Sequence, residues 1–493
     1  MNAEVVVVGG GIGGLTVAAL LAARGVDVCL CEREANVGGC AANFDKFGYS
    51  FEPGFGLYPM WGEGEIHRRV FSELPVKPPE VRLHEPSYAV SLPDQSAVTL
   101  TANTSAFEAN LAAVFPECND EAIKFYRELE ELAETFRQVT GKTSDFFDTE
   151  SPRRLFGFLR SSKEAARLLE AGRQRTKEFL GRTSFRFTRF IDTQLQTLAQ
   201  ATSESVPYLY AAVALTAARS RMYGIDGGAS SLANRLAESI EQSGGRIRLN
   251  TPVLRLAYDT AGDAVGVDLL SGEQITASKA IISNLTQWDT YGKLVGLNRT
   301  PADVRQQLKG KRGWGAYLLY LGWDDDAARR ASSNRLLALT AWQDGTGFSP
   351  ENDQLFFSSA PDWDRRAPEG KRAVTVQAFT DVDDWFTFHT DESDLETKDQ
   401  QMLEQCWTRL HQAMPHLGDS IEVIDTATPR SYYEQTRRKL GMVGGLPVDS
   451  CEPHQSYLTS IPNLFMVGDT VSPGGISGLS RTALALANRL TKA

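Results

Sequence analysis

The first pattern in the chain is an apolar run without alternation, Val5 to Val8 after Glu4. A strand with no polar side is covered on both faces, as in a parallel sheet between helices. Gly9-Gly10-Gly11-Ile12-Gly13-Gly14 follows, then a helical run from Leu15 to Arg24 closed by Gly25, then a second apolar run, Val26–Cys31, ending at Glu32. The order predicts strand, tight turn, helix, strand. A related pattern lies mid-chain: Gly224–Gly228 precedes a helix over Ser230–Gln242, and Gly244-Gly245 turns into a strand over Arg246–Leu249. Turn residues at Gly262-Asp263 and Ser271-Gly272 predict a hairpin that ends in a strand over Ala280–Asn284. The C-terminus predicts a strand from Asn463 running into Gly468-Asp469. A glycine-rich loop, Pro473–Leu479, and a helix over Ser480–Leu490 come after it. Elsewhere, Asp120–Thr140 carries Ile123, Tyr126, Leu129, Leu132, Phe136 and Val139 at amphipathic helix spacing, and Val206–Ala218 reads as a buried helix.

At 493 residues the chain calls for two or three domains. A net charge of −11 speaks against a nucleic-acid partner. No stretch reaches the roughly 18–20 apolar residues of a membrane span. The apolar run begins too early for a leader, so a cytoplasmic or membrane-peripheral protein is expected. Six cysteines without a C-x-x-C pair read as reduced core thiols, and no metal-ligand spacing occurs.

The glycines carry the chemistry. Gly9, Gly11 and Gly14 fill a G-x-G-x-x-G pattern, with Ile12 and Gly13 inside it. The first glycine allows the tight turn, the second lets a pyrophosphate approach the backbone, and the third lets helix and strand pack closely. The helix N-terminus offers free N–H groups and a positive dipole end to phosphate. Glu32, 18 residues after Gly14, stands where an acid binds ribose hydroxyls, with Arg33 beside it. This much suits NAD or FAD.

Gly38-Gly39 shortly after the acid, and Gly468-Asp469 with Gly475, Ile476 and Gly478 at the far end of the chain, resemble the pattern of flavin-binding enzymes of the glutathione-reductase type, which implies FAD. A C-terminal helix aimed at the flavin ring would stabilise the negative charge that reduction builds. Val253 is placed at the adenine, and Ser283 and Asn284 at a strand end where ligands collect in such sheets.

These motifs, with Gly48–Gly54, Tyr223–Gly228, Ile282–Leu285, Thr428-Pro429-Arg430 and Gly441–Pro447, resemble the phytoene desaturase, carotenoid isomerase and retinol saturase group of FAD-dependent oxidoreductases, particularly its bacterial carotenoid desaturase branch. The resemblance implies an α/β fold: a glutathione-reductase-type, Rossmann-like FAD-binding domain with an inserted α+β substrate domain. It departs at Cys40, Glu52 and Arg481, where the group usually carries Arg, Asp and Gly. The FAD-binding domain is expected over 1–85, 220–290 and 450–493, and the substrate domain over 86–219 and 291–449. Between Ser151 and Phe190 stand eleven Lys or Arg against three Glu, with six Phe. That mixture suits a membrane-facing lid on an anionic bilayer, and equally a solvated helical pair with Phe in its core.

One dinucleotide fingerprint and no redox Cys pair point to a quinone or O2 as electron acceptor. The implied reaction is desaturation of a long apolar polyene. Isomerase, saturase or amine-oxidase chemistry are alternatives on the same fold, and prenyl-lipid-binding escort proteins are a non-catalytic one. The absence of His from 455–493 argues against oxidases that use a His pair beside the flavin. No catalytic acid or base is identified; Glu52, Tyr223 and Arg430 are the candidate polar groups.

Overall fold

The computed structural model describes residues 1–141, 163–331, 333–342, 347–386, 392–449 and 457–492. Two seven-stranded sheets organise it. The first gathers its strands from three distant parts of the chain. Asn2–Val8 lies at its centre, parallel to Val28–Cys31 on one side and to Gln274–Ser283 on the other. Arg246–Arg248 extends one edge in parallel. Beyond Gln274–Ser283 the sheet divides: the start of that strand pairs antiparallel with Ala264–Leu269, and its end pairs parallel with Leu464–Met466. Val5, Val6 and Val7 are fully buried, because helices cover one face and the Val253–Tyr258 hairpin the other.

The helix after the first strand spans Ile12–Ala23, starting three residues before the apolar run at Leu15, because the fingerprint glycines form its first turn. It packs between Ala229–Gln242 and Gly475–Thr491. This last helix begins five residues earlier than expected, so the C-terminal glycine run is its first turn. Gly474, left-handed at φ 94°, starts it. Close approach explains the glycines. A Cβ on Gly13 would stand 2.4 Å from the Val467 carbonyl oxygen, and one on Gly478 would stand 2.0 Å from that of Pro473.

The second sheet runs Ile421–Ala427, Gly315–Asp324, Lys371–Thr380, Gln354–Ser359, Arg335–Leu339, Tyr88–Ser91 and Ala97–Leu100. It is antiparallel except where Arg335–Leu339 meets Tyr88–Ser91. Helices Asn119–Gly141, Lys163–Arg173, Phe185–Ala199 and Tyr208–Ser220 share a core with one face, and Glu392–Ala413 covers the other. Two stretches pack across the expected division. Tyr49 and Phe51 join Leu318 and Tyr320 of the second sheet, while Leu294 and Val295 pack under the first.

The cationic Phe-rich segment lies partly outside the described residues, Phe156 and Phe158 included. In the remainder, Phe187 and Phe190 are fully buried and Phe179 stacks on Tyr208 at 3.6 Å. Arg167, Lys177 and Arg186 are ion-paired to Glu131, Glu204 and Glu117. Of the described Phe from 163 to 190, only Phe185 is exposed. Among the described residues no helix is long and apolar enough to cross a membrane.

Candidate functional site

A single cavity of about 1630 Å³ runs from the first sheet to the helices over the second. Its two ends differ in chemistry. At the first, the strand Asn2–Val8 stops, the chain turns at Gly9 (φ 97°), and Gly11 caps the helix without any side-chain acceptor. The amides of the first turn are therefore left open to the cavity that Gly11, Ile12 and Gly13 line. Gly38, also left-handed, donates its N–H to the Gly10 carbonyl at 2.8 Å, which presses the second glycine pair against the first.

Glu32 closes this end. The Gly10 amide donates to its Oε2 at 2.6 Å and the Glu34 amide to its Oε1 at 2.8 Å, so the carboxylate is held as an acceptor. Carboxylate oxygens have lone pairs to spare for hydroxyls. Thr251 donates its N–H to the Glu32 carbonyl, bringing the turn before Val253 alongside. Gly9, Glu32, Arg33, Gly39, Val253 and Asn284 all line the cavity.

At the middle, Asp469 and the helix start Gly475, Ile476 and Gly478 face the same space. Asp469 is ion-paired to Arg438 at 2.9 Å, with only 20 and 12% of the two side chains exposed. Arg438 also donates through Nε to the Met442 carbonyl at 2.7 Å. The Asp469 carboxylate raises the Arg438 pKa against the opposing effect of burial, so the guanidinium stays charged. Cys40 sits beside this pair, its thiol pushed up chiefly by burial. Arg438 escaped the sequence reading. Its only signal is position, eight residues after Arg430, in a strap from 435 to 449 that covers the cavity.

Three of the residues assigned to the cofactor do not line the cavity. Gly14 packs under Gly9, whose carbonyl oxygen would lie 2.3 Å from a Cβ, the close helix–strand approach that its place in the fingerprint predicts. Ser283 is fully buried, its hydroxyl 2.8 Å from that of Thr290. Gly468 packs against the Leu285 carbonyl instead. The three candidate polar groups also lie elsewhere. Glu52 is buried against Arg366 (3.4 Å), Tyr58 and the Ala229 amide, a cluster that ties the first sheet's helices to the second sheet. Tyr223 pairs through its backbone with Tyr58 and Leu83, and Arg430 is exposed on Pro429–Thr436.

The far end is apolar. Leu209, Val213, Ala214 and Ala217 present one face of the helix Tyr208–Ser220. Phe136, Leu168, Leu198, Phe356 and Val448 extend the apolar wall, and Arg173, Gln200, Tyr210 and Gln377 also line the cavity. No group of His, Cys, Asp and Glu suited to a metal ion occurs among the described residues.

Open helix-end amides, a preset hydroxyl acceptor, and a second uncapped helix end facing the same cavity form a donor set that fits FAD. The family model for flavin containing amine oxidoreductases matches residues 12–491. Prolycopene isomerase of Daucus carota is 25% identical over 99% of this chain and 80% of its own. All-trans-retinol 13,14-reductase of Danio rerio is 22% identical over 98 and 84%. Phytoene desaturase (neurosporene-forming) of Cereibacter sphaeroides is 24% identical over 98 and 93%. Among solved structures, putrescine oxidase bound to putrescine superimposes with a TM-score of 0.66 at 14% identity, over the full length of both chains. Rab GDI from Plasmodium falciparum does so at 0.52 and 11%, covering 98 and 97%.

Proposed function

The chain belongs to the flavin containing amine oxidoreductases and is an FAD-dependent oxidoreductase, and on that premise we propose that it desaturates a long apolar, carotenoid-like polyene. The observation that carries this reading is the cavity itself: a polar cradle continuous with an apolar wall built from four separate helices. An amine substrate would need a compensating anion there, and the helix face of Leu209, Val213, Ala214 and Ala217 offers none.

Bound FAD supplies the hydride acceptor, at N5, for an allylic C–H whose neighbouring carbon gives up a proton. The chain's own contribution is placement. Gly11, Ile12 and Gly13 hold the phosphates by backbone N–H, Glu32 the ribose, and Val253 the adenine. Gly475, Ile476 and Gly478 lie at the ring. Asp469, fixed by Arg438, faces the ribityl chain. Gly38, Gly39 and Asn284 shape the passage between, with Arg33 at its rim. Gly9, Gly14, Ser283 and Gly468 support these contacts from behind. We take 1–85, 220–290 and 450–493 as the FAD-binding unit, and 86–219 with 291–449 as the substrate unit. Lys163–Arg173, which contributes Leu168 and Leu169 to the wall, belongs to a lid over the substrate entrance that rests on the membrane surface. Electrons leave to a quinone or O2.

A second reading, carotenoid isomerisation, is favoured by one observation: the prolycopene isomerase likeness is as extensive as that to the desaturase. Expression in bacteria accumulating phytoene, neurosporene or tetra-cis-lycopene, with pigment analysis, separates the two. A longer conjugated product establishes desaturation. Conversion of tetra-cis-lycopene to its all-trans form without new double bonds establishes isomerisation. Unchanged pigments in all three strains refute both.

A further inference from the structure

The cavity-facing end of Gly475–Thr491 has no side-chain cap, yet it is held from behind by a buried imidazole. His67 is 1% exposed and its ring stacks on Trp61, with centroids 4.4 Å apart and planes 21° from parallel. Its Nε2 lies 3.2 Å from Ser477 Oγ and its Nδ1 3.3 Å from Ser480 Oγ. Ser477 donates its one hydroxyl proton to the Pro59 carbonyl at 3.0 Å. Nε2 must therefore carry the ring proton and donate to Ser477, leaving Nδ1 to accept from Ser480. One tautomer of the neutral ring satisfies both. Burial, aided by the nearby Arg481 cation, holds the ring neutral with a pKa of about 3.

Both ring nitrogens are occupied, and His67 does not line the cavity, so it is no acid or base for substrate. Its two serines, however, lie three residues apart on the helix start whose Ser477 does line the cavity. Ser480, 2% exposed, lies one turn further along the same face, where the helix packs against Ile66–Phe71. Two bonds from one rigid ring to successive positions of a helical turn fix both the rotation and the height of that turn.

We propose that His67 is a positioning residue for the flavin, clamping Ser477 and Ser480 so that the helix end is aimed to stabilise the reduced ring. This rests on the placement of the flavin ring at Gly475–Gly478. The helix-end dipole acts only over the first turn, so a small change of direction weakens it. Reduced FAD, which carries the added negative charge, loses more binding than oxidised FAD.

The test uses the full-length holoprotein. Dissociation constants for oxidised FAD and the midpoint potential are measured for the parent, His67→Ala, His67→Gln and Ser480→Ala. His67→Ala is expected to raise the reduced-to-oxidised ratio of dissociation constants about tenfold, a potential ~30 mV more negative for two electrons. His67→Gln, which keeps a donor toward Ser477, recovers part of the shift. Ser480→Ala, which leaves the ring in place, produces a smaller shift of the same sign and decides the matter if His67→Ala does not fold. Equal loss of both redox forms, or a parental potential in folded, FAD-loaded His67→Gln and Ser480→Ala, overturns the proposal. A parent that binds no FAD overturns the placement of the cofactor instead.

Discussion

The Arg438–Asp469 pair offers a quantitative test of how the strap from 435 to 449 is held over the cavity. Exposed ion pairs contribute about 0.2–1 kcal/mol, whereas breaking a fully buried one costs about 3–5 kcal/mol. With 12 and 20% of the side chains exposed, at 2.9 Å, this pair stands nearer the buried limit. Arg438→Met leaves Asp469 uncompensated and also removes the bond to Met442. A cost of about 3 kcal/mol follows. Asp469→Asn keeps the shape and strands the guanidinium, at about 2 kcal/mol. Once one partner is gone, removing the other relieves the stranded charge. The double variant should therefore cost about 2 kcal/mol less than the two singles together. Urea unfolding of the four apoproteins at low ionic strength measures the cycle. The same variants with FAD should show weaker retention for both Asp469 variants. Additivity within about 0.5 kcal/mol would refute a coupled pair, and with it the view that the strap is pinned through Asp469.

Glycine positions separate folding from binding. Gly14→Ala meets the Gly9 backbone and Gly13→Ala the Val467 carbonyl, so each should destabilise the fold by about 1–3 kcal/mol in denaturant melts. Gly11→Ala meets only the tip of the Asn284 amide, 2.6 Å away; the melt should move little while FAD retention falls. Acid stability follows from two buried histidines. Burial lowers His67 to about 3 and His84 to about 2, so the unfolded chain takes up these protons first and stability drops as pH falls below about 6.5. Each group costs about 2 kcal/mol by pH 5. Chemical denaturation across that window should show the loss, and His67→Gln should remove about half of it. In the wall, Val213→Asp should abolish polyene binding, measured by quenching of flavin fluorescence, with FAD content unchanged.

Much of the cradle was legible because its chemistry is local. Gly9, Gly11, Glu32 and Gly38 are spaced along short stretches whose geometry follows from backbone rules. The C-terminal helix was misjudged at its start because glycine lowers helix propensity by about 1 kcal/mol per residue. Here tertiary contact at Gly478 and against Ile12–Ala23 overrides that preference. Ser283 and Gly468 were assigned to the ligand from the strand ends that carry them, but Ser283 turns inward to Thr290 and Gly468 packs its backbone against the Leu285 carbonyl. Arg438, His67 and the Glu52 cluster lay beyond sequence reading for a different reason. Their partners lie 31, 410 and about 300 residues away, separations at which sequence spacing carries no signal. Glu52 and Tyr223 drew attention as polar residues in matched motifs; Glu52 ion-pairs with Arg366 across the molecule, and Tyr223 pairs through its backbone with Tyr58 and Leu83.

The central claim is that the polar cradle and the apolar wall serve one reaction. Anaerobic mixing of the FAD-loaded protein with phytoene or neurosporene in liposomes tests it in a single turnover. The account predicts loss of the oxidised flavin's visible absorbance, matched mole for mole by a polyene with longer conjugation, and both lost in Val213→Asp. Flavin that stays oxidised while the polyene binds would contradict it.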